Sequence, residues 1–511
     1  MPMLFDEKIF EGKNKKIVIE SVYVDGQKLK ANIIDDDQEK ELWFCYSDNY
    51  QPVALNADAF LIFLLRYAMV HNKDIISKVP VHYELLNSIN RLLIPSIHMA
   101  DVDFAKMKVY APVLADYNCH QAPGVLTGLS CGVDSFYALL NHYRTGDKNL
   151  DVTHLFFFEH HITDINAKSR VFSYCQKVAT EMGFSLIRVC TNGLKVLNMH
   201  WFQTHLYSLF AAVNSMQDII GKFYLASSYH VTDVEMNGFR WADPAHYELV
   251  LIKALHHKDM ELYIEGAVTR TQKTDFIADF PIVQNRLAVC WLRPYDNCNI
   301  CSKCVRTLVD LDVLGKLDKF GAAFDLSHYK KNRDWYLSFA RTEHDHNNIF
   351  FMESVRRLKA RGGEITETFE DKMAKIIEPQ AEKILSYFEQ KQLKSVLFFG
   401  RRYEKFVDQI ADILSKHDIK VYVYVRDRRN LAFPAKARER VEFVGAEQLS
   451  PDFSKEINAM ILISMTMILS EYLWIFDKMG MRISDSVHLS EIIDIPFFKG
   501  KESEVKLNKN I

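Results

Sequence analysis

The chain has 511 residues, 48% of them hydrophobic and 25% charged, with a formal net charge of −3 at pH 7. That length implies two to four domains with ordinary globular cores. The faintly acidic balance excludes broad nucleic-acid affinity, which needs clustered Lys and Arg, and leaves room only for a local basic patch.

The opening MPMLFDEKIFEGKNKK carries no apolar h-region and no small-residue cleavage site. The longest apolar stretch, residues 459–476, is interrupted by Ser464, Thr466, Ser470 and Glu471. It reads as a buried strand followed by a helix, not a membrane span. A cytoplasmic protein with reduced thiols and no membrane partner is expected.

In chain order, residues 1–115 read as an N-terminal α+β domain. Residues 16–24 alternate as a strand, and Asp25-Gly26 opens a hairpin toward a second strand at 29–33. A helix follows over 59–71. Asp35-Asp36-Asp37 reads as a solvated turn, and no chemical constellation stands out in this segment.

Residues 116–322 alternate strand and helix. The strands are expected at 125–128, 152–158, 185–189, 222–226 and 261–265, with a helix over 167–182 that Gly183 ends. Such βα alternation implies a parallel sheet with helices on both faces. Ligands on such sheets bind at the carboxyl ends of the strands. The residues just after each strand therefore carry the interest. They are the 130–135 loop; Glu159, His160 and His161; Thr191 and Asn192; Ser227, Ser228, Tyr229 and His230; and Arg270 with Lys273. Each has a plainer role open to it. The histidines suit a polar surface loop, the serines suit a strand end, and Arg270 and Lys273, three apart on one helix face, suit a surface ion pair as well as a phosphate.

The loop is Ser130-Cys131-Gly132-Val133-Asp134-Ser135, between a short apolar run and the helical spacing of Phe136, Tyr137, Leu139 and Leu140. A small-residue turn there points several backbone N–H groups one way, and the helix dipole adds positive charge, so the loop suits a phosphate. Asp134 and Ser135 equally suit ordinary N-cap positions.

Cys290, Cys298, Cys301 and Cys304 form C-x7-C-x2-C-x2-C within CWLRPYDNCNICSKC. Two successive C-x2-C steps make a knuckle that presents three thiolates to one ion, and the longer loop returns a fourth. Zinc takes such a tetrahedron, and an iron–sulfur cluster takes the same four residues. Disulfides are the third option, one that suits secreted chains. Four protein thiolates leave no open position, so a zinc ion here is structural.

The hexapeptide closely resembles the Ser-Gly-Gly-x-Asp-Ser signature of the PP-loop ATP pyrophosphatases, with Cys131 in place of the first glycine. Together with the cysteine knuckle it resembles the 7-cyano-7-deazaguanine synthases, whose knuckle has one more residue in its first spacer. The matches run in order from about Gly124 to Leu314 and leave well over half the chain uncovered. His205, in WFQTHLYSLFAAV, looks like part of that family's third helix, and Thr269 to Thr274 looks like its threonine–lysine segment. The Cys298-to-Thr307 element, C-x2-C-x-Lys-Cys-x-Arg-Thr, is similar to that of larger uncharacterised PP-loop proteins.

The resemblance implies an α/β fold with an adenine-nucleotide alpha-hydrolase-like (HUP, Rossmann-like) core. It implies ATP, Mg²⁺ and Zn²⁺ as cofactors. Ser130, Cys131, Gly132, Val133, Asp134, Ser135 and Arg270 would hold the nucleotide, and Asp134, Ser135 and Lys273 would act in catalysis. ATP would be split to AMP and pyrophosphate as a carboxylate or carbonyl oxygen is adenylated for attack by a nitrogen nucleophile. The acceptor would be a small molecule or peptide, and a homodimer is compatible with this. A PP-loop tRNA sulfurtransferase, using Cys131, Cys175 or Cys190 as a reactive thiolate, and a non-catalytic nucleotide-binding zinc scaffold remain as alternatives.

Residues 323–392 are charged and helix-prone and read as a helical connector that Gly362-Gly363 breaks. Residues 393–511 begin another β-α-β pattern: a strand at 395–399 ended by Gly400, a helix at 406–414, and a strand at 421–425 ending near Asp427. This is a small Rossmann-like α/β domain. Its first loop has one glycine and Arg401-Arg402 where a dinucleotide site needs three glycines, so no dinucleotide is expected.

Overall fold

The computed structural model describes residues 15–102, 104–114, 122–160, 165–166, 169–233, 243–290, 293, 295–399, 405–425, 439–445, 448–462, 475–476, 478–481 and 486–501. The chain divides into two compact units, Met1–Ile277 and Ala278–Ile511. His161, Gly400, Arg401, Arg402, Asp427 and most of the 459–476 stretch lie outside the described residues.

The first unit is built on a ten-stranded mixed sheet. Its strands are β1 (Lys16–Asp25), β2 (Lys28–Asp35), β3 (Gln38–Tyr46), β4 (Asp74–Ser77), β5 (Val109–Tyr110), β6 (Gly124–Gly128), β7 (His154–Glu159), β8 (Leu186–Thr191), β9 (Ile220–Leu225) and β10 (Glu261–Ile264). Their spatial order is β10-β9-β6-β7-β8-β3-β2-β1-β4-β5. From β10 to β8 all pairings are parallel. Counted from β6 in sequence, those five strands run 3-2-1-4-5, a doubly wound order whose direction reverses between β6 and β9.

The strands of residues 1–115 join this same sheet, because β3 pairs antiparallel with β8. The joint is fastened by side chains. Thr191 Oγ1 donates to the Trp43 carbonyl at 2.7 Å, Asn192 Nδ2 donates to the Glu41 carbonyl at 2.9 Å, and Trp43 N–H donates to Asn192 Oδ1 at 2.9 Å. A common core runs beneath, including Phe44, Phe60, Phe156 and Phe210. The helix Asp58–His71 packs on the helix Trp201–Asn214. Gly193 also approaches the first of these helices closely, since a Cβ there would sit 2.3 Å from the Phe63 ring.

Asp35 departs from the solvated turn expected of it. Asp36 and Asp37 do turn the chain, at φ of +45° and +69°. Asp35 is buried, and it accepts from Lys40 at 2.6 Å and Tyr67 at 2.8 Å and pairs with Lys73 at 2.5 Å. A carboxylate with three donors no longer needs water.

The second unit opens with the cysteine knuckle and the helices Ser302–Leu314, Arg333–Asp345, Ile349–Ala360, Phe369–Ile377 and Ala381–Gln390. Gly362, at φ +76°, stops the chain's helical course after Ala360. A five-stranded parallel sheet follows, with strands β11 (Ser395–Phe399), β12 (Lys420–Tyr424), β13 (Val441–Val444), β14 (Ala459–Leu462) and β15 (Ser486–His488) in the order β13-β12-β11-β14-β15. Both units are α/β, and the second sheet repeats the doubly wound order of the first. Among the described residues no helix is long and apolar enough to cross a membrane.

Candidate functional site

Between β6 and the helix Val133–Asn141 the chain turns through Ser130, Cys131 and Gly132. Cys131 has a φ of +58°, in the left-handed region. Glycine enters that region freely, whereas a residue with a Cβ pays about 1–2 kcal/mol. Its side chain is fully buried, with the sulfur 3.8 Å from that of Cys175. Gly132 is the N-cap and offers no side-chain oxygen to the first turn. The N–H groups of that turn therefore lack the usual cap.

The two serines close the loop on itself. The Ser135 hydroxyl donates to the Gly132 carbonyl at 3.1 Å and accepts from the Ser130 N–H at 3.3 Å and hydroxyl at 3.1 Å. Asp134 does not cap either. It turns toward the helix Arg270–Ile277, where Arg270 Nη1 lies 2.6 Å and Lys273 Nζ 3.5 Å from its oxygens. Both cations are buried, Lys273 with 1% of its surface exposed. A surface ion pair, open from sequence, is not what forms. Burial pushes the Lys273 ammonium below its ordinary value, and Asp134 opposes the shift. Lys273 Nζ also donates to the Ser227 carbonyl at 2.6 Å. The cluster thus joins β6 to β9, at the reversal point of the strand order, where the crevice of such a sheet opens.

Beyond β9, Ser227 and Tyr229 form a tight turn in which Ser227 Oγ contacts the Tyr229 carbonyl at 2.8 Å and accepts its N–H at 3.2 Å. Gly266 lies against this turn, and a Cβ there would come within 3.0 Å of Ser227 Oγ. Ser227 Oγ is also hydrogen-bonded to the carboxyl of Glu248, whose residue is 2% exposed. Burial pushes the Glu248 carboxyl up to about 8. Sequence reasoning missed Glu248. The available signal was an acidic residue opening the otherwise apolar run Glu248–Leu255.

Histidines also meet aromatic rings in two groups. His160 meets Trp201 at a ring distance of 5.7 Å, Trp201 meets His205 at 5.4 Å, and Tyr229 meets His246 at 4.5 Å. His205 Nε2 is 3.4 Å from Asp243. Two strand ends serve the scaffold instead. Thr191 and Asn192 fasten β3, as described above, and Glu159 is held by Arg188 and by Ser169 Oγ at 2.6 Å.

The four cysteines of the knuckle come together in the second unit, their sulfurs all within 4.8 Å of one another. The pairs Cys290–Cys301 and Cys298–Cys304 are each 3.9 Å apart. That spacing is far too long for a disulfide, at ~2.05 Å. It matches the edge of a tetrahedron of ~2.3 Å metal–sulfur bonds, which is ~3.8 Å. The Arg293 N–H lies 3.2 Å from the Cys290 sulfur and the Cys301 N–H 3.3 Å from that of Cys298. Asn297 braces the loop by accepting from Val289 N–H at 2.9 Å and donating to the Leu287 carbonyl at 2.8 Å. The four residues fit one metal ion such as zinc.

Asp58, His82 and His257 also gather donor atoms within 4.8 Å. Both nitrogens of His82 and Nε2 of His257 are already committed, and His257 Nδ1 is buried without a hydrogen-bond partner. His82 bonds Asp58 through Nδ1 and Asp259 through Nε2 at 2.6 Å, and His257 Nε2 lies 3.1 Å from Asn214 Oδ1. This is a hydrogen-bonded relay. No protein family, curated protein or solved structure matches the chain.

Proposed function

We propose that the first unit is a PP-loop ATP pyrophosphatase of the adenine-nucleotide alpha-hydrolase-like (HUP) class, and that it adenylates a substrate oxygen. The observation that carries this reading is the buried Asp134–Arg270–Lys273 cluster against an uncapped helix start, where the strand order reverses. Two buried cations beside a helix N-terminus that no side chain caps are what a triphosphate requires.

In this reading the Ser130–Ser135 loop holds the β- and γ-phosphates. Arg270 and Lys273 stabilise charge on the departing pyrophosphate. Asp134 would help hold Mg²⁺, which would supply charge neutralisation of the phosphates. A substrate carboxylate or carbonyl oxygen attacks the α-phosphorus, and the bond to pyrophosphate breaks. A nitrogen nucleophile then attacks the activated carbon, loses a proton, and AMP departs. The protein contributes alignment and preorganised charge. The acceptor is a small molecule or peptide.

The thiols weigh against sulfur transfer. Cys131 and Cys175 are fully buried. Cys190 is buried too, and its hydrogen bond with Cys45 and its burial push its thiol above the ordinary value. A nucleophilic thiolate needs access and a lowered value. For the knuckle we propose structural Zn²⁺, since four thiolates fill its coordination sphere.

The test is a screen of carboxylic acids with MgATP and ammonia, read by phosphorus NMR. AMP with pyrophosphate is the expected product pair. Ser135→Ala and Asp134→Ala should each lower its formation at least ~10-fold. ADP with inorganic phosphate contradicts adenylation.

A further inference from the structure

The reading above uses Asp134, Arg270 and Lys273 and leaves Glu248 without a part. A glutamate carboxyl at 2% exposure is costly to bury as an anion unless a cation meets it directly. Its direct contact is a neutral hydroxyl, that of Ser227. Ser227 in turn faces the same turn whose carbonyl receives Lys273 Nζ at 2.6 Å.

The hydrogen-bond count at Ser227 says more. Its hydroxyl has one proton and two neighbours able to take it, the Tyr229 carbonyl at 2.8 Å and the Glu248 carboxyl. Both contacts are hydrogen bonds only if one of the partners donates to Ser227. A carbonyl cannot. A carboxylic acid can: a protonated Glu248 would give its O–H to Ser227 and leave the Ser227 proton for Tyr229.

The charges facing Glu248 from the packed elements are Lys273 on the helix Arg270–Ile277, Asp134 on the helix Val133–Asn141, and Asp243 ahead of its own helix. Asp243 lies by His205, so with Glu248 uncharged the three side chains in contact, Asp134, Arg270 and Lys273, carry one positive charge in excess. With Glu248 ionised, that excess disappears.

We infer that Glu248 is a positioning residue of the phosphate site, an uncharged acid that holds the Ser227–Tyr229 turn under Lys273 and leaves the lysine's charge for a bound phosphate. It acts through Ser227 and Lys273 and touches no phosphate itself. The role rests on the proposed phosphate site. It adds that phosphate affinity is gated by one proton on a residue outside the loop.

The experiment measures affinity for inorganic pyrophosphate, and for MgATP, by calorimetry from pH 6.5 to 9.5. Wild type and Glu248→Gln are compared. Glutamine keeps the shape and a donor to Ser227 and cannot ionise. Wild-type affinity should fall about tenfold more than that of the Gln variant between pH 7 and pH 9, as one charge is lost at short range. The readout is the pH profile of each protein, so a changed absolute affinity in the variant does not obscure it. Infrared difference spectra of wild type, with ¹³C-labelled glutamate, should show a protonated buried carboxyl at pH 7 that disappears near pH 8.

If the pH step persists in Glu248→Gln, the role of Glu248 is overturned and the phosphate site stands. If neither ligand binds at any pH, the phosphate site itself falls and this role with it. If no protonated carboxyl is seen at pH 7, the inference fails whether or not the variant folds.

Discussion

Cys131 occupies a left-handed position in the loop where a glycine would be unstrained, and its sulfur packs on Cys175 rather than facing solvent. Cys131→Gly therefore removes strain of about 1–2 kcal/mol. It also removes a small buried side chain and adds unfolded-state entropy, each worth about 1 kcal/mol. These offset, so the variant should unfold within ~1 kcal/mol of wild type and still bind ATP. Chemical denaturation and calorimetry check both. A loss of ATP binding with the fold intact would make the sulfur a participant. Glu248 gives a second expectation. Its folded-state value near 8 lies above its ordinary 4.5 because of burial. The folded protein then holds a proton that the unfolded chain releases. Its stabilising contribution is fully present below the unfolded value and is lost as pH rises through about 8. Urea titrations of Glu248→Gln should show a smaller loss of stability from pH 5 to pH 8 than wild type; parallel curves would contradict this.

At the scale of elements, two devices pin separate pieces together. The relay Asp58–His82–Asp259 ties the start of the helix Asp58–His71 to the segments around residues 82 and 259. Burial disfavours charge on both Asp58 and His82, but each outweighs this for the other, so Asp58 is lowered and His82, aided by Asp259, is raised. The Asp58 contribution is present above its unfolded value and lost as pH falls through the folded one. The His82 contribution is present below its unfolded value and lost as pH rises through the folded one. Their joint contribution is greatest in the mildly acidic range. His82→Gln should flatten the alkaline decline in stability measured by urea unfolding against pH; an unchanged slope would show that the pair is not linked to folding. The cysteine knuckle is the second device. Purified protein should carry about one zinc per chain, and Cys301→Ser should lower the stability of the second unit, because structural zinc contributes folding free energy directly. Elemental composition and metal-dependent melting decide this. An iron–sulfur absorption band in place of zinc would reassign the metal.

For the whole molecule, the local signals in the sequence were strong and the long-range ones were silent. Each of the five strands from β6 to β10 overlaps the apolar run expected at its place, because short buried runs between turn residues are a local property. So are the hairpin at Asp25-Gly26 and the helix end at Gly183, both set by glycines with positive φ. Nothing local tells β3, in Gln38–Tyr46, that its partner is β8, some 150 residues later in the chain. The joint between the N-terminal strands and the parallel strands is therefore visible only in the structure. The same limit explains the site. Loop and knuckle are contiguous motifs, legible by spacing. Asp134 reaches Arg270 across 136 positions, and Glu248 matters only because Ser227 lies beside it. Thr191 and Asn192 illustrate the reverse. They sit where a ligand-binding residue belongs and spend their hydrogen bonds on β3.

The central claim is that the Ser130–Ser135 loop and the Arg270–Lys273 pair form one ATP site. Calorimetric titration of ATP with Mg²⁺ into wild type, Ser135→Ala and Lys273→Met tests it most directly. Saturable binding to wild type, weakened at least ~10-fold in both variants while their folds persist, is the predicted result. No binding to wild type, or equal affinity in all three proteins, would contradict it.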